Sequence, residues 1–296
     1  MIEEVKAKTI LTKVSYGKEW YGIDYNMNLY RGCSHGCIYC DSRSECYQIE
    51  DFDHVKKKAQ ALAILEQELQ RKRKKGIIGM GSMSDPYNPA EVTEQLTRGA
   101  LQLIAHYGFG VAIDTKSPLI LRDLDILKKI NQKNQVIVKL TITTPEDHLS
   151  KIIEPYVASS SKRFETIKIL RQNNIFTGIM LNPVLPYLTD QEESLKSMVR
   201  LAFEHDAKFI HTFMGMTLRD RQREYYYQQL EKHFPNLKEQ YQKTYGNRYF
   251  CSPKASQQLY QVFQKECNRY QILYRMSEII AAYPKKQSEQ EQLELF

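Results

Sequence analysis

The chain has 296 residues, of which 42% are hydrophobic and 26% charged; this suffices for one large α/β domain with an appendage, or for two domains. No apolar run reaches the roughly 18 residues of a membrane span, and the acidic start Met1-Ile2-Glu3-Glu4-Val5 lacks the apolar stretch of a secretion signal, so a cytoplasmic chain without a membrane partner is expected. The formal charge of +7 suits a polyanionic partner such as nucleic acid and equally a basic metabolic enzyme.

Short runs rich in Ile, Val and Phe alternate with amphipathic helical patterns. Residues 28–30, 77–80, 109–115, 136–143, 176–182 and 208–214 read as strands. Most lack polar–apolar alternation, as strands buried on both faces do. Val55, Ala59, Leu62, Leu65 and Leu69 recur at helical spacing with Lys and Arg opposite. Residues 91–106, 121–131, 162–173 and 191–205 read similarly. Six strand–helix units predict a parallel sheet with right-handed crossovers. We expect an α/β fold: a partial (β/α)6 TIM-like barrel over 1–215, with a doubly wound sheet as the alternative. Either puts the site where the C-terminal ends of the strands meet their loops. Residues 218–233, 236–245 and 255–282 look helical without strand signal, which predicts a helical C-terminal extension over 216–283. Residues 284–296 are polar and predict a flexible tail.

Six cysteines are present. A chain of this size in a reducing compartment has little use for disulfides. Three of them crowd into Tyr30-Arg31-Gly32-Cys33-Ser34-His35-Gly36-Cys37-Ile38-Tyr39-Cys40. The C-x3-C-x2-C spacing puts three thiolates on one short loop, able to converge on a single face of a cubane iron–sulfur cluster. Gly32 and Gly36 let the backbone wrap around it without Cβ clashes. Three ligands for four irons leave one iron open. The rival is a structural zinc knot, which needs a fourth ligand such as Cys46 or His35.

The spacing, with an aromatic before its last Cys, resembles the radical S-adenosylmethionine (SAM) superfamily. The longer phrase running on through Asp41-Ser42-Arg43-Ser44 resembles its spore photoproduct lyase-like branch of DNA repair photolyase-related proteins. The resemblance runs from about Tyr21 to the last helices. It implies a partial (β/α)6 barrel, in agreement with the strand count. It implies a [4Fe-4S] cluster on Cys33, Cys37 and Cys40 whose open iron chelates SAM. It implies lyase-like chemistry: an electron from a flavodoxin- or ferredoxin-type donor splits SAM into methionine and a 5′-deoxyadenosyl radical that takes a substrate hydrogen.

The same resemblance points to SAM contacts. Ser84 and Asp85, after the second strand, offer acceptors to its ammonium, although Asp85-Pro86 is also an ordinary turn. Lys116, ending the third strand, suits its carboxylate. Thr141 and Thr143 share one face of the fourth strand and suit ribose hydroxyls, although Thr is also a good strand residue. Tyr39 is expected beside the adenine, or packed as a shield over the cluster. Glu154 and Arg163 resemble a further family phrase and read best as an ion pair holding the barrel. The pattern departs from a spore photoproduct lyase where Gly79-Met80-Gly81-Ser82-Met83-Ser84 lacks the hydrogen-donor Cys, and where Asp41 replaces an aromatic. Cys46, Cys251 and Cys267 remain as stand-ins or as structural thiols.

Arg219-Asp220-Arg221-Gln222-Arg223-Glu224-Tyr225-Tyr226-Tyr227 mixes cations with aromatics. It suits phosphates and bases, or a charged helix face with Tyr at the core edge. Gln292, Leu293, Leu295 and Phe296 resemble the terminal peptide by which bacterial proteins engage the DNA sliding clamp. Together these point to a radical enzyme on nucleic acid, most simply in DNA lesion repair. Radical modification of RNA or protein, and a non-catalytic metal-bearing clamp adaptor, are the alternatives.

Overall fold

The computed structural model describes residues 2–15 and 19–283; the tail with its clamp-like peptide lies outside them. The chain opens with β1 (Glu4–Val5), β2 (Leu11–Lys13), β3 (Tyr25–Met27) and β4 (Tyr30–Arg31), and β5 (Lys56–Lys58) follows the cysteine loop. Then come α1 (Ala61–Gln70), β6 (Ile77–Met80), α2 (Glu91–Glu94), α3 (Leu96–Tyr107), β7 (Gly110–Thr115), α4 (Leu124–Lys133) and β8 (Val136–Thr141). Next are α5 (Asp147–Ile153), α6 (Ser160–Gln172), β9 (Phe176–Leu181), α7 (Glu192–Glu204) and β10 (Ile210–Thr212). The C-terminal part holds β11 (Met216–Thr217), α8 (Asp220–His233), α9 (Leu237–Tyr245), β12 (Phe250–Cys251), α10 (Ser256–Arg269) and α11 (Met276–Ala282).

The main sheet has seven strands in the order β10-β9-β8-β7-β6-β3-β2. Neighbours follow chain order throughout. A doubly wound sheet reverses direction at a switch point; this one does not, and it curves into the partial barrel. Every pairing is parallel except β2 against β3 at the edge. Alternation along each strand sorts side chains to two faces. Ile78, Ile113, Val138, Leu140 and Ile179 join residues of α1, α3, α4, α6 and α7 in the main core. Burial of each such side chain is worth roughly 1.5–3 kcal/mol. Ile77, Ala112, Ile137 and Phe176 face the interior near the strands' N-terminal ends, where Tyr21, Phe209, Ile279 and Tyr283 plug the floor. The opposite end stays open.

Tertiary pairing overrides several local expectations. The first strand stops at Met27 rather than covering 28–30, because β4 leaves the barrel to pair antiparallel with β5. The three lysines of β5 continue no helix. They sit between β1 and β4 in a separate sheet, and α1 begins only after Gln60, which turns at φ 52. β11 and β12 pair antiparallel inside the region expected to lack strands, a non-local contact that no periodicity announces. The C-terminal helices are integral to both cores. Leu259 and Phe263 of α10 join the main core. Tyr226, Leu230 and Tyr241 of α8 and α9 pack with Cys37, Ile38, Tyr39 and Ile153. No helix among the described residues is long and apolar enough to cross a membrane.

Candidate active site

The cysteine loop is tied down from three directions. The Cys33 amide donates to the Phe52 carbonyl at 2.8 Å, and Ile38 to that of Ile153 at 3.0 Å. From α8, Gln222 Nε2 donates to the Tyr39 carbonyl at 2.9 Å. Gly32 turns at φ +79, and a Cβ there would stand 2.7 Å from the Phe52 carbonyl oxygen. Gly36 turns at φ +70, and its Cβ would stand 2.7 Å from the Tyr156 ring. Glycine suits both turns, and at Gly32 the backbone of Phe52 and His54 leaves no room for a side chain.

Cys33, Cys37 and Cys40 line one cavity of about 480 Å³, together with Tyr39, Ser84, Asp85, Lys116 and Thr141. These residues face one space, at the C-terminal ends of β6, β7 and β8; Thr143, the other ribose candidate, is buried and does not line it. Burial pushes the Cys33 thiol up to about 12, and raises those of Cys37 and Cys40 too. As thiolates they call for strong local positive charge, which a metal centre supplies. Among the described residues no three His, Cys, Asp or Glu side chains surround a single ion position. Three thiolates that each take a different iron need no such point. Of the fourth ligands a zinc knot requires, Cys46 lies outside the cavity, and His35 lines it with its ring turned to Asp85. Exposed Cys46 accepts from Arg219 Nη1 at 3.2 Å, and His35 Nδ1 lies 3.5 Å from Asp85 Oδ2. The donor set fits a cubane cluster.

The remaining wall is a set of braces. Ser84 Oγ donates to the Gly32 carbonyl at 2.6 Å, joining the loop after β6 to the cysteine loop. The Asp85 carboxylate accepts from Thr115 Oγ1 at 2.7 Å, the Lys116 amide at 2.7 Å and the Tyr87 amide at 2.8 Å. It thereby aligns the ends of β6 and β7. Burial works against the Lys116 charge, but Cys37, Glu154, Asp85 and Cys40 outweigh it and hold the ammonium above its ordinary range. Tyr39 donates its hydroxyl to buried Glu154. Glu154 pairs with Arg163 at 2.5 Å, and Arg163 Nη1 donates to the Thr141 carbonyl at 2.6 Å. This chain links the cysteine loop to the end of β8, so the expected ion pair does hold the barrel. Burial opposes the Glu154 charge, but Arg163, Lys116 and the Tyr39 hydroxyl keep its carboxyl below the usual range.

Other expected contacts are used internally. Arg223 donates to the carbonyls of Leu218 at 2.6 Å and Arg248 at 2.8 Å. Arg219 lies 4.5 Å over the Tyr249 ring, and Tyr225 carries Arg43 at 3.7 Å. The segment 219–227 mainly fastens the roof over the site. Cys46, Cys251 and Cys267 do not line the cavity, and Cys251 and Cys267 are fully buried elsewhere. Trp20, Asp114, Met180, Phe213 and Phe250 do line it, and sequence reasoning passed over them. A signal existed for Asp114: a charge inside an otherwise apolar strand. Lys139 and His211 carry the same signal.

A family model described as the radical SAM superfamily matches residues 27–199. The chain belongs to the radical SAM superfamily. The superfamily's cofactors are a [4Fe-4S] cluster and SAM. A protein of Mycobacterium tuberculosis (strain ATCC 25618 / H37Rv), itself uncharacterised, is 29% identical over 263 residues, covering 86% of this chain and 77% of its own. An uncharacterised protein of Methanocaldococcus jannaschii is 36% identical over 173 residues, covering 58% of this chain and 64% of its own. Among solved structures, spore photoproduct lyase complexed with dinucleoside spore photoproduct superposes with a TM-score of 0.65 at 14% identity, covering 90% of this chain and 79% of that one. A mutant of that lyase with bound AdoMet and the dinucleoside gives 0.66 at 14% identity, covering 90% and 78%. At such identity the likeness shows a common radical SAM fold.

Proposed function

We propose that this radical SAM enzyme acts on nucleic acid, in the repair of a DNA lesion. Cys33, Cys37 and Cys40 would hold the cluster. Lys116 is suited to the SAM carboxylate, Ser84 to its ammonium, and Tyr39 with Thr141 to the adenosine. Asp85 positions Lys116 and the strand ends. With both cofactors bound, the site supplies a carbon radical able to take hydrogen from an unactivated position. The chain's own residues orient the groups and exclude water.

The observation that carries the choice of substrate is the rim. A cavity of about 480 Å³ is of the size that holds one small ligand, roughly 300–1,000 Å³, and cluster and SAM claim it. The substrate therefore meets the site at its open side. There Phe213 and Phe250 line the cavity while remaining 47% and 44% exposed. Exposed rings beside a deep site are platforms on which bases stack. The dinucleoside carried by the structurally similar lyase supports the same substrate class. A barrel core over 1–215 and an extension over 216–283 would form the catalytic body. A flavodoxin- or ferredoxin-type reductant and, through 292–296, a sliding clamp would be its partners.

The test is anaerobic reconstitution followed by SAM cleavage with ultraviolet-irradiated DNA, intact DNA, RNA or no addition. About four irons and four sulfides per chain, with 5′-deoxyadenosine raised by the irradiated DNA, is the expected result. Stimulation by RNA alone, or by none of the nucleic acids, would overturn it.

A further inference from the structure

Inside the barrel, strand register places Thr141, Met180 and His211 side by side on β8, β9 and β10. Thr141 and Met180 line the cavity; His211 continues their row one strand further. The row beneath carries Asp114 beside Lys139, paired at 2.8 Å. Lys139 is thereby satisfied, and it also lies 4.0 Å over the Tyr21 ring. Asp114 keeps one oxygen, Oδ1, without a partner, and both ring nitrogens of His211 have none, although His211 is only 9% exposed. Buried orphans of this kind are rare in folded proteins and call for a ligand or another explanation. Aromatic rings surround them. Trp20 and Phe213 lie parallel within 5° at 6.0 Å, and His211 stands edge-on to each at 5.2 and 5.0 Å.

We propose that His211, Asp114, Trp20 and Phe213 form a receptor for one unpaired nucleobase at the edge of the SAM cavity, which the last three line. The inference rests on nucleic acid being the substrate and names the part of it that is bound. The exposed Phe213 ring extends the stack already begun by Trp20 and accepts a planar ring on its open face. Burial and Lys139 push the His211 imidazole down to about 4, so at neutral pH it offers one N–H donor and one bare acceptor. Together with Asp114 Oδ1 this matches a base edge, where donors and acceptors alternate. It does not match a phosphate, which would want a free cation: Lys139 is taken by Asp114, and His211 is uncharged.

The test uses the reconstituted full chain under anaerobic conditions and fluorescence anisotropy. The probes are an oligothymidylate of about 12 nucleotides and an abasic strand of equal length. The native chain binds the thymidylate about tenfold more tightly than the abasic strand. Phe213→Ala and His211→Leu each abolish most of that preference, and His211→Gln, which keeps a donor and an acceptor, retains part of it. Phe213 is half exposed, so its removal leaves the fold intact; circular dichroism and melting check the His211 variants. If the native chain prefers bases and both variants keep the preference, or if it binds the two strands equally, the receptor is wrong while nucleic acid stands. If it binds neither strand, the substrate class falls and the receptor with it.

Discussion

Two buried polar networks lie within the same barrel and are built to different ends. In the first, Tyr39 and Arg163 both bond the Glu154 carboxylate, and the terminal nitrogens of Arg163 are spent on Glu154, Ser150 and Thr141. Only Arg163 Nε lacks a partner. In the second, Lys139 pairs with Asp114, yet Asp114 Oδ1 and both His211 nitrogens are left open. Glu154 and Arg163 are fully buried; in the second network Lys139 and His211 are nearly so, while the Asp114 side chain is 24% exposed. The closed network fixes the cysteine loop to the barrel wall, whereas the open one waits for hydrogen-bond partners that the chain does not supply. Saturation, together with burial, separates scaffold from binding surface.

The difference can be broken from the closed side first. Glu154→Ala leaves Arg163 charged and buried without its partner, and is expected to lower stability by about 3–5 kcal/mol in urea unfolding. A loss under about 1 kcal/mol would mean the pair does not brace the fold. Next comes pH. His211 has a folded value near 4 against an ordinary 6.5. The unfolded chain therefore binds more protons within that window, so this contribution is complete above about 6.5 and declines as pH falls toward 4. The loss reaches on the order of 3 kcal/mol. Melting of His211→Leu against the native chain should show it: the variant lacks that part of the acid slope, and parallel curves would contradict the assignment. Lys139→Met leaves Asp114 without its cation and should cost about 1–3 kcal/mol, read by the same unfolding curves. The smallest effect sharpens the contrast. Lys196→Ala removes an exposed pair with Glu193 at 2.7 Å and should change stability by less than about 0.5 kcal/mol.

What was legible in the sequence was whatever spacing alone encodes. Cys33, Cys37 and Cys40 announce themselves on one loop, and five of the strands lie within a residue or two of the apolar runs that suggested them. The SAM candidates Ser84, Asp85, Lys116 and Thr141 come from the family resemblance, which falls on residues that follow or end a strand. Contacts across long separations were not legible. Nothing local says that three lysines at 56–58 pair as a strand, that α8 reaches Tyr39, or that Trp20 meets Phe213. His211 was visible as a polar residue in an apolar strand, but its significance depends on Met180 and Thr141 standing beside it. That is a matter of register, which local sequence does not carry.

The bond from Gln222 to the Tyr39 carbonyl spans 183 residues of sequence. At roughly 10 residues per second of synthesis, the cysteines leave the ribosome many seconds before the helix that roofs them. Throughout that interval the thiols stand uncovered, open to oxidants and to stray metals. If the cluster sits on these cysteines as proposed, the α8 roof closes over it only once nearly all of the chain has been translated. A fragment ending before α8 should emerge as a coloured protein only fleetingly, if at all, even when its barrel strands have formed.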